Sequence, residues 1–210
     1  MNFLKSDQIP QNAWSNLLAT SPFASPFQTP AFYDFLKESG GSDAKVFGLS
    51  VSGELKALMV IAVFKEPGIR GYFSRRGIVF GGPLLHNISR EELEFFLKNV
   101  VKSMRGKTIY LETRNFFDYS IYRPAFDAVG WKYLPWLNFL LPTQSKEQVE
   151  KGISDGRRRQ ISKAILSGAR WTEPGSMDDV RAFYDILLNQ SAPHKDQKAT
   201  ARMGVLRILL

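Results

Sequence analysis

Arg157, Arg158 and Arg159, followed by Lys163, form the densest cluster of chemically capable side chains in this sequence. They come just after Ser154, where a helix is expected to start, and three guanidinium groups in a first turn oppose the helix dipole. A bound anion would resolve that conflict, because the free backbone N–H groups of the first turn point the same way. A solvated basic helix that lays its stems along the surface is the other reading. On a helical wheel Ile161, Ala164 and Ile165 form the face expected to be buried, with Arg159 and Lys163 opposite.

A second cluster is Ser74-Arg75-Arg76-Gly77-Ile78-Val79-Phe80-Gly81-Gly82-Pro83. Glycines beside basic residues let a backbone come close to a phosphate or a peptide. The pattern is neither a P-loop nor G-x-G-x-x-G, and a strand ending in a tight turn accounts for it equally well. A third is Glu112, Arg114 and Asn115 at the end of an expected strand. Strand alternation puts Glu112 and Arg114 on one face, where they pair as a salt bridge or leave the carboxylate as a base.

Composition removes several chemistries. The chain has no cysteine, which excludes a disulfide framework, a thiolate nucleophile and a Cys-type zinc site. Its two histidines, His86 and His194, are far apart, and no Ser/His/Asp arrangement stands out from chance. A His-rich metal site or a repeated His relay is therefore not expected. An apolar fraction of 44% and 16 phenylalanines exclude disorder as the general state of the 210 residues. The formal net charge is +8, and residues 151–210, with 11 basic and 6 acidic side chains, hold +5 of it. Such a surplus suits an anionic partner. Met1-Asn2-Phe3-Leu4-Lys5 opens no apolar signal segment, and the apolar run Leu58–Phe64 is too short to span a bilayer, so a cytoplasmic chain is expected.

The elements that position these clusters follow from periodicity and punctuation. Trp14, Leu17 and Leu18 predict a helix over Gln11–Ala19; Thr29-Pro30 starts a second, carrying Phe32, Phe35 and Leu36, which Gly40-Gly41 ends. Lys45–Val51 and Leu55–Phe64 read as a hairpin about Ser52-Gly53-Glu54, Pro67-Gly68 as a turn, and Arg70–Phe80 as a strand. Ser89-Arg90-Glu91-Glu92 has the form of a capping box, with Leu93, Phe96, Leu97, Val100, Val101 and Met104 striped behind it and Gly106 closing the helix. Lys107–Thr113 is then a strand, Ile121–Val129 a helix and Trp131–Leu141 extended chain. This is an α/β (α+β) unit with a mixed sheet flanked by helices. Past Pro142-Thr143-Gln144-Ser145 the chain turns helical and basic: Lys146–Lys151, Ser154–Leu166 stopped by Gly168, and a helix capped by Ser176-Met177-Asp178-Asp179 with the stripe Val180, Phe183, Tyr184, Leu187 and Leu188. Ala169–Thr172 reads as a short strand.

Taken in order, several segments resemble the FemAB-like family of peptidoglycan interpeptide-bridge aminoacyltransferases, which are built on GNAT-type acyltransferase folds. They are Phe27-Gln28-Thr29-Pro30-Ala31-Phe32-Tyr33, Arg75-Arg76-Gly77-Ile78-Val79-Phe80-Gly81-Gly82-Pro83, Ile109-Tyr110-Leu111-Glu112-Thr113-Arg114-Asn115, Gly156-Arg157-Arg158-Arg159-Gln160-Ile161-Ser162-Lys163-Ala164 and Phe183-Tyr184-Asp185-Ile186-Leu187-Leu188. The resemblance implies a first GNAT-like domain over 1–143, the opening helices of a second over 144–190 and an atypical tail over 191–210. It implies transfer of an acyl or aminoacyl group to an amine, by positioning and charge stabilisation rather than by a metal or covalent nucleophile. The implied co-substrate is aminoacyl-tRNA or acyl-CoA, and the implied acceptor a nucleotide- or lipid-linked cell-wall precursor, the latter bringing contact with a membrane surface; DNA is not an implied partner. The usual acyl-CoA loop pattern is absent, since Arg76-Gly77 and Gly81-Gly82 are spaced differently. The substrate-binding set carried over is Lys37, Arg75, Arg76, Gly81, Gly82, Glu112, Arg114, Arg158, Arg159 and Lys163. Lys37 stands in for a phosphate-holding lysine whose place is taken by Asp34. The resemblance stops near residue 190, which gives the expectation of a truncated or frame-shifted product. A non-catalytic basic module that binds RNA or an anionic precursor through Arg157–Lys163 is the reading from a different class.

Overall fold

The structure, a computed structural model, describes residues 1–39, 42–66, 68, 70–135, 143–191 and 205–209. The chain divides into two compact units, Met1–Leu137 together with Met203–Leu210, and Asn138–Arg202.

The first unit is built on one mixed sheet. In chain order its elements are β1 (Asn2–Lys5), α1 (Gln11–Thr20), α2 (Pro30–Glu38), β2 (Ser42–Val51), β3 (Glu54–Phe64), α3 (Arg70–Phe73), β4 (Arg76–Gly81), β5 (Leu84–Leu85), α4 (Arg90–Met104), β6 (Tyr110–Asn115), α5 (Arg123–Ala128), β7 (Lys132–Leu134) and, from the far end of the chain, β8 (Val205–Leu209). The strand order is β1-β2-β3-β4-β6-β8-β7, and β5 also pairs with β3. The β4–β6 pair is parallel, with α4 in the crossover between the two strands.

The apolar run that reads as one hydrophobic stretch is a strand buried on both faces. Met59 and Ile61 of β3 join Phe47, Val79, Leu111 and α4 residues Leu93, Phe96, Leu97 and Val100 in one core layer. Leu58, Val60 and Ala62 join Trp14, Leu17 and Leu36 of α1 and α2 in the other. Ser52 and Gly53, with φ of 51° and 86°, make the two-residue turn that joins β2 to β3. The Thr29 hydroxyl accepts from the Phe32 N–H at 3.2 Å. At α4, Ser89 and Glu92 cap each other reciprocally, the Ser89 N–H donating to Glu92 Oε2 at 2.8 Å.

Several boundaries differ from the sequence expectations. The expected strand over Arg70–Phe80 begins only at Arg76, because Arg70–Phe73 is helical, Gly71 N–H bonds back to Gly68 O at 3.0 Å and Glu66 N–H donates to Ser74 Oγ at 2.9 Å. The strand expected from Lys107 begins at Tyr110, since the Lys107 and Thr108 N–H groups bond back to Met104 O and close α4. A 3-10 turn over Ser120–Tyr122 delays α5 to Arg123. The tail, given no element by the sequence, contributes β8, whose Val-Leu-Arg-Ile-Leu composition suits a strand between β6 and β7. Gly40-Gly41, Pro67 and residues 136–141 of the expected extended segment lie outside the described residues.

The second unit contributes α6 (Lys146–Gly152), α7 (Asp155–Leu166) and α8 (Met177–Ser191). Ser145 caps α6 and Ser176 caps α8; Ser154 holds the N-cap position of α7 without a side-chain bond. Residues 169–172, expected as a strand, are irregular. None of residues 143–189 is buried, so the expected core face of α7 is open, with Ile161 46% and Ile165 64% exposed. The α8 stripe is likewise exposed. Within this unit no described side chain covers either face.

Candidate functional site at the ends of the parallel strands

β4 and β6 run side by side, in register from Arg76↔Tyr110 to Gly81↔Asn115. Crevices at the carboxyl ends of parallel strands are where open α/β sheets place ligands. Here Gly81 and Gly82 turn the chain with φ of 80° and 85°, a conformation that suits glycine. A Cβ on Gly81 would strike Ser25 Oγ, and one on Gly82 would lie 2.5 Å from the Tyr119 hydroxyl. Both glycines are buried, and the close approach they permit is to these side chains. Tyr119 donates to Pro83 O at 2.8 Å and stacks on Phe23 at 4.3 Å. Burial pushes its phenol far above the ordinary tyrosine range, with Tyr122 adding to the shift, so the hydroxyl stays a donor. Thr113 Oγ1 donates to Asn115 Oδ1 beside it.

Glu112 and Arg114 share the sheet face that also carries Ile78 and Phe80. The Arg114 guanidinium meets Glu112 Oε1 through Nη2 at 2.7 Å and Nε at 2.8 Å, and lies 5.5 Å from the centre of the Phe80 ring. Glu112 is 1% exposed. The salt bridge that the spacing allowed is therefore formed. Around Phe80 stand Phe27, Phe32 and Phe64, ring centres 5.7 to 6.3 Å away, with Phe116 beyond Phe27.

The residue that sets this corner, and that sequence reasoning left without a role, is Gln28. It is fully buried; its Nε2 donates to Phe80 O at 2.9 Å and its Oε1 accepts from Val60 N–H at 2.9 Å. The β3–β4 register stops at Ala62↔Ile78, so the Gln28 amide bridges the strands two residues past their last pair. Trp14 Nε1 holds the Gln28 carbonyl at 2.8 Å. In the sequence Gln28 stood only within the segment Phe27-Gln28-Thr29-Pro30-Ala31-Phe32-Tyr33, with no role of its own. Ser25, whose hydroxyl is buried without a described partner, was also missed.

The other predicted residues of the first unit make their contacts elsewhere. Lys37, on the last turn of α2, lies 5.4 Å from the Tyr33 ring centre. Arg75 accepts the Ile109 N–H through its carbonyl just before β4, and Arg76 is exposed at the strand's start. Arg158, Arg159 and Lys163 belong to the second unit, where with Asp155, Ser162 and Leu166 they line one open face of α7. Arg158 also caps the end of α6, its Nη2 donating to Glu150 O at 2.7 Å and Ile153 O at 3.1 Å. Among the described residues no three His, Asp or Glu side chains lie together as a metal ion would need, and no helix is long and apolar enough to cross a membrane.

No family model and no curated protein sequence matches this chain. Solved structures do. A crystal structure of FemX matches 93% of the chain and 50% of its own, at 12% identity and a TM-score of 0.61. A probable acetyltransferase matches 70% of the chain and all of its own, at 9% identity and a TM-score of 0.45. An N-acetyltransferase from Staphylococcus aureus Mu50 matches 63% and 82%, at 14% identity and 0.43. The chain spans half the length of the FemX chain. That likeness shows the fold: a GNAT-type α/β arrangement with a mixed sheet flanked by helices.

Proposed function

We propose that the chain is an acyl- or aminoacyl-transferase that moves its group from an activated ester or thioester onto an amine of a cell-envelope precursor. The observation that carries this reading is the GNAT-type fold, matched to FemX over 93% of the chain; the ordered motifs that resemble FemAB-like proteins support it. In the proposed reaction the amine lone pair attacks the carbonyl carbon. The C–O or C–S bond to the carrier then breaks, and the nitrogen proton leaves with the alcohol or thiol. Positioning and stabilisation of the oxyanion supply most of such a rate. The donor is aminoacyl-tRNA or acyl-CoA, and Arg159 and Lys163 offer exposed cations to its phosphates or to those of a nucleotide- or lipid-linked acceptor. Glu112 has a structural role in this scheme, because Arg114 already occupies Oε1. Incubation with aminoacyl-tRNA or acyl-CoA and a nucleotide-linked stem peptide is expected to add the mass of one acyl group to the peptide amine. No mass increase with either donor overturns the proposal.

A second reading, a non-catalytic module that holds RNA or an anionic precursor on α7, is favoured by the joint exposure of Arg159 and Lys163 on one face. Its test is the salt dependence of RNA binding. R159A and K163A each take one cation away from the phosphates, and each is expected to reduce the slope of log K against log salt by about 0.7. Binding without turnover would favour this reading, and turnover with an unchanged slope would exclude it.

A further inference from the structure

We propose that α7 and α8 form a docking face for a second copy of this chain, with α7 of each protomer packed against α8 of the other. Both helices leave an apolar face open: ten of their large hydrophobic side chains are 42 to 88% exposed. Open faces of that kind gain free energy when another surface covers them. The charges select the surface. α7 holds four basic side chains and one acidic, net +3, and α8 three acidic and one basic, net −2. Pairing α7 with α7, or α8 with α8, brings like charges together, whereas α7 against α8 brings opposite ones. A two-fold axis makes that contact twice, since each copy offers both helices.

The two faces share one design. On α7, Arg157, Ile161 and Ile165 follow one another at four-residue spacing in one row; on α8, Asp179, Phe183 and Leu187 do the same. Laid parallel, the rows set Ile161 against Phe183, Ile165 against Leu187 and Arg157 against Asp179. Both charged ends have capacity for this contact. Arg157 donates to Gln160 Oε1 through Nη1 and has no carboxylate partner among the described residues. The hydrogen bonds that Gly175 and Ser176 donate to Asp179 all go to Oδ2, which leaves Oδ1 to accept from a guanidinium. Arg159 and Lys163 lie on the other side of α7 and stay open in the dimer, so this assignment does not depend on acyl transfer or on phosphate binding. The ten side chains expose on the order of 1,000 Å², and a standard interface buries about 800 Å² per partner. One face of each helix supplies only part of that area, which puts the contact at the weak end of stable dimers, with a dissociation constant of about 10 μM. Below that concentration both faces are open, and a truncation there acts on association rather than on the fold of the protomer.

Sedimentation velocity on the whole chain, from about 0.5 to about 200 μM, tests it. The expected result is a shift from monomer to twice the monomer mass, centred near about 10 μM. I161D/F183D, with a carboxylate in each apolar row, is expected to stay monomeric throughout. R157D and D179R each set like charges at the end of the rows and are expected to weaken the dimer about tenfold, and R157D/D179R is expected to recover to within about threefold of the parent. D179R also removes the carboxylate that caps α8, but so does the double variant, so the recovery reads the pairing alone. R159A/K163A is expected to associate like the parent. All six substituted side chains are exposed, and circular dichroism checks that each variant folds. A chain still monomeric at about 200 μM overturns the assignment, whether its two faces close on each other or take a different partner. A dimer retained by I161D/F183D, one lost in R159A/K163A, or a double reversal that recovers nothing overturns it as well.

Discussion

The two units of this chain carry helices with the same apolar spacing and treat them in opposite ways. On α4 of the first unit, Leu93, Phe96, Leu97 and Val100 are 0% exposed, packed against β2, β3, β4 and β6. On α8 of the second, Val180, Phe183, Tyr184, Leu187 and Leu188 repeat the pattern and are 42 to 61% exposed. Periodicity therefore states that a helix has a face to bury, and it does not state what covers that face. In the first unit the partner is legible, because the neighbouring sequence supplies strands whose alternation fits the stripe. In the second no described element of that unit supplies one.

Truncating one phenylalanine in each unit sharpens this contrast most. Phe96→Ala removes a fully buried ring and is expected to cost about 3–5 kcal/mol of global stability. Phe183→Ala, at a site 61% exposed, is expected to change it by about 0.5 kcal/mol or less. Urea unfolding of the three proteins measures both values. Equal costs would break the comparison by showing that the α8 face is covered in solution.

The next effect contrasts two side chains that each satisfy backbone groups of another element. Gln28 does so in the buried gap between β3 and β4, and Arg158 at the exposed end of α6. Gln28→Leu leaves the Val60 N–H and the Phe80 carbonyl without that partner, at about 1–3 kcal/mol for each buried group. Gln28→Glu keeps an acceptor for Val60 and loses the donor to Phe80, so a comparable loss is expected. At Arg158 water replaces what the guanidinium gave, and Arg158→Ala is expected to cost about 0.5 kcal/mol or less. Urea midpoints decide the ranking; a Gln28→Leu protein as stable as the parent would remove the bridging role.

What could be read in advance follows from how local the governing interaction is. The Thr29 cap, the Ser89–Glu92 box and the Ser52-Gly53 turn are set within four residues, and each forms as its sequence predicts. The Glu112–Arg114 pair was legible because strand alternation brings i and i+2 to one face. Gln28 was not, because its partners Val60 and Phe80 lie 32 and 52 residues away. Arg70–Phe73 misled by strand-like composition where a short helix and the backbone bond from Gly71 to Gly68 prevailed. Arg157–Lys163 was legible as a basic face, and the exposure of the opposite face was not, since it depends on what neighbours the helix rather than on the helix itself.

The smallest effect separates two helix caps of one design. Ser89 caps α4 over the core, and Ser176 caps α8, which covers none. Ser89→Ala is expected to lower global stability by about 1 kcal/mol, because α4 cannot fray without opening the layer that holds Phe96. Ser176→Ala should leave the urea midpoint in place and act locally on Asp179. The Ser176 hydroxyl, together with the N–H groups of Gly175 and Ser176, hydrogen-bonds the Asp179 carboxylate and holds its pKa below the ordinary value of 3.8. A folded carboxyl that releases its proton more readily than the unfolded one stabilises the cap above that ordinary value, and the contribution fades as pH falls through the lowered one. A carboxyl-detected titration should therefore show Asp179 moving up toward 3.8 in Ser176→Ala, with faster amide exchange confined to the first turn of α8. If the whole second unit gains exchange together, its helices share a cooperative core, and the contrast with the first unit fails.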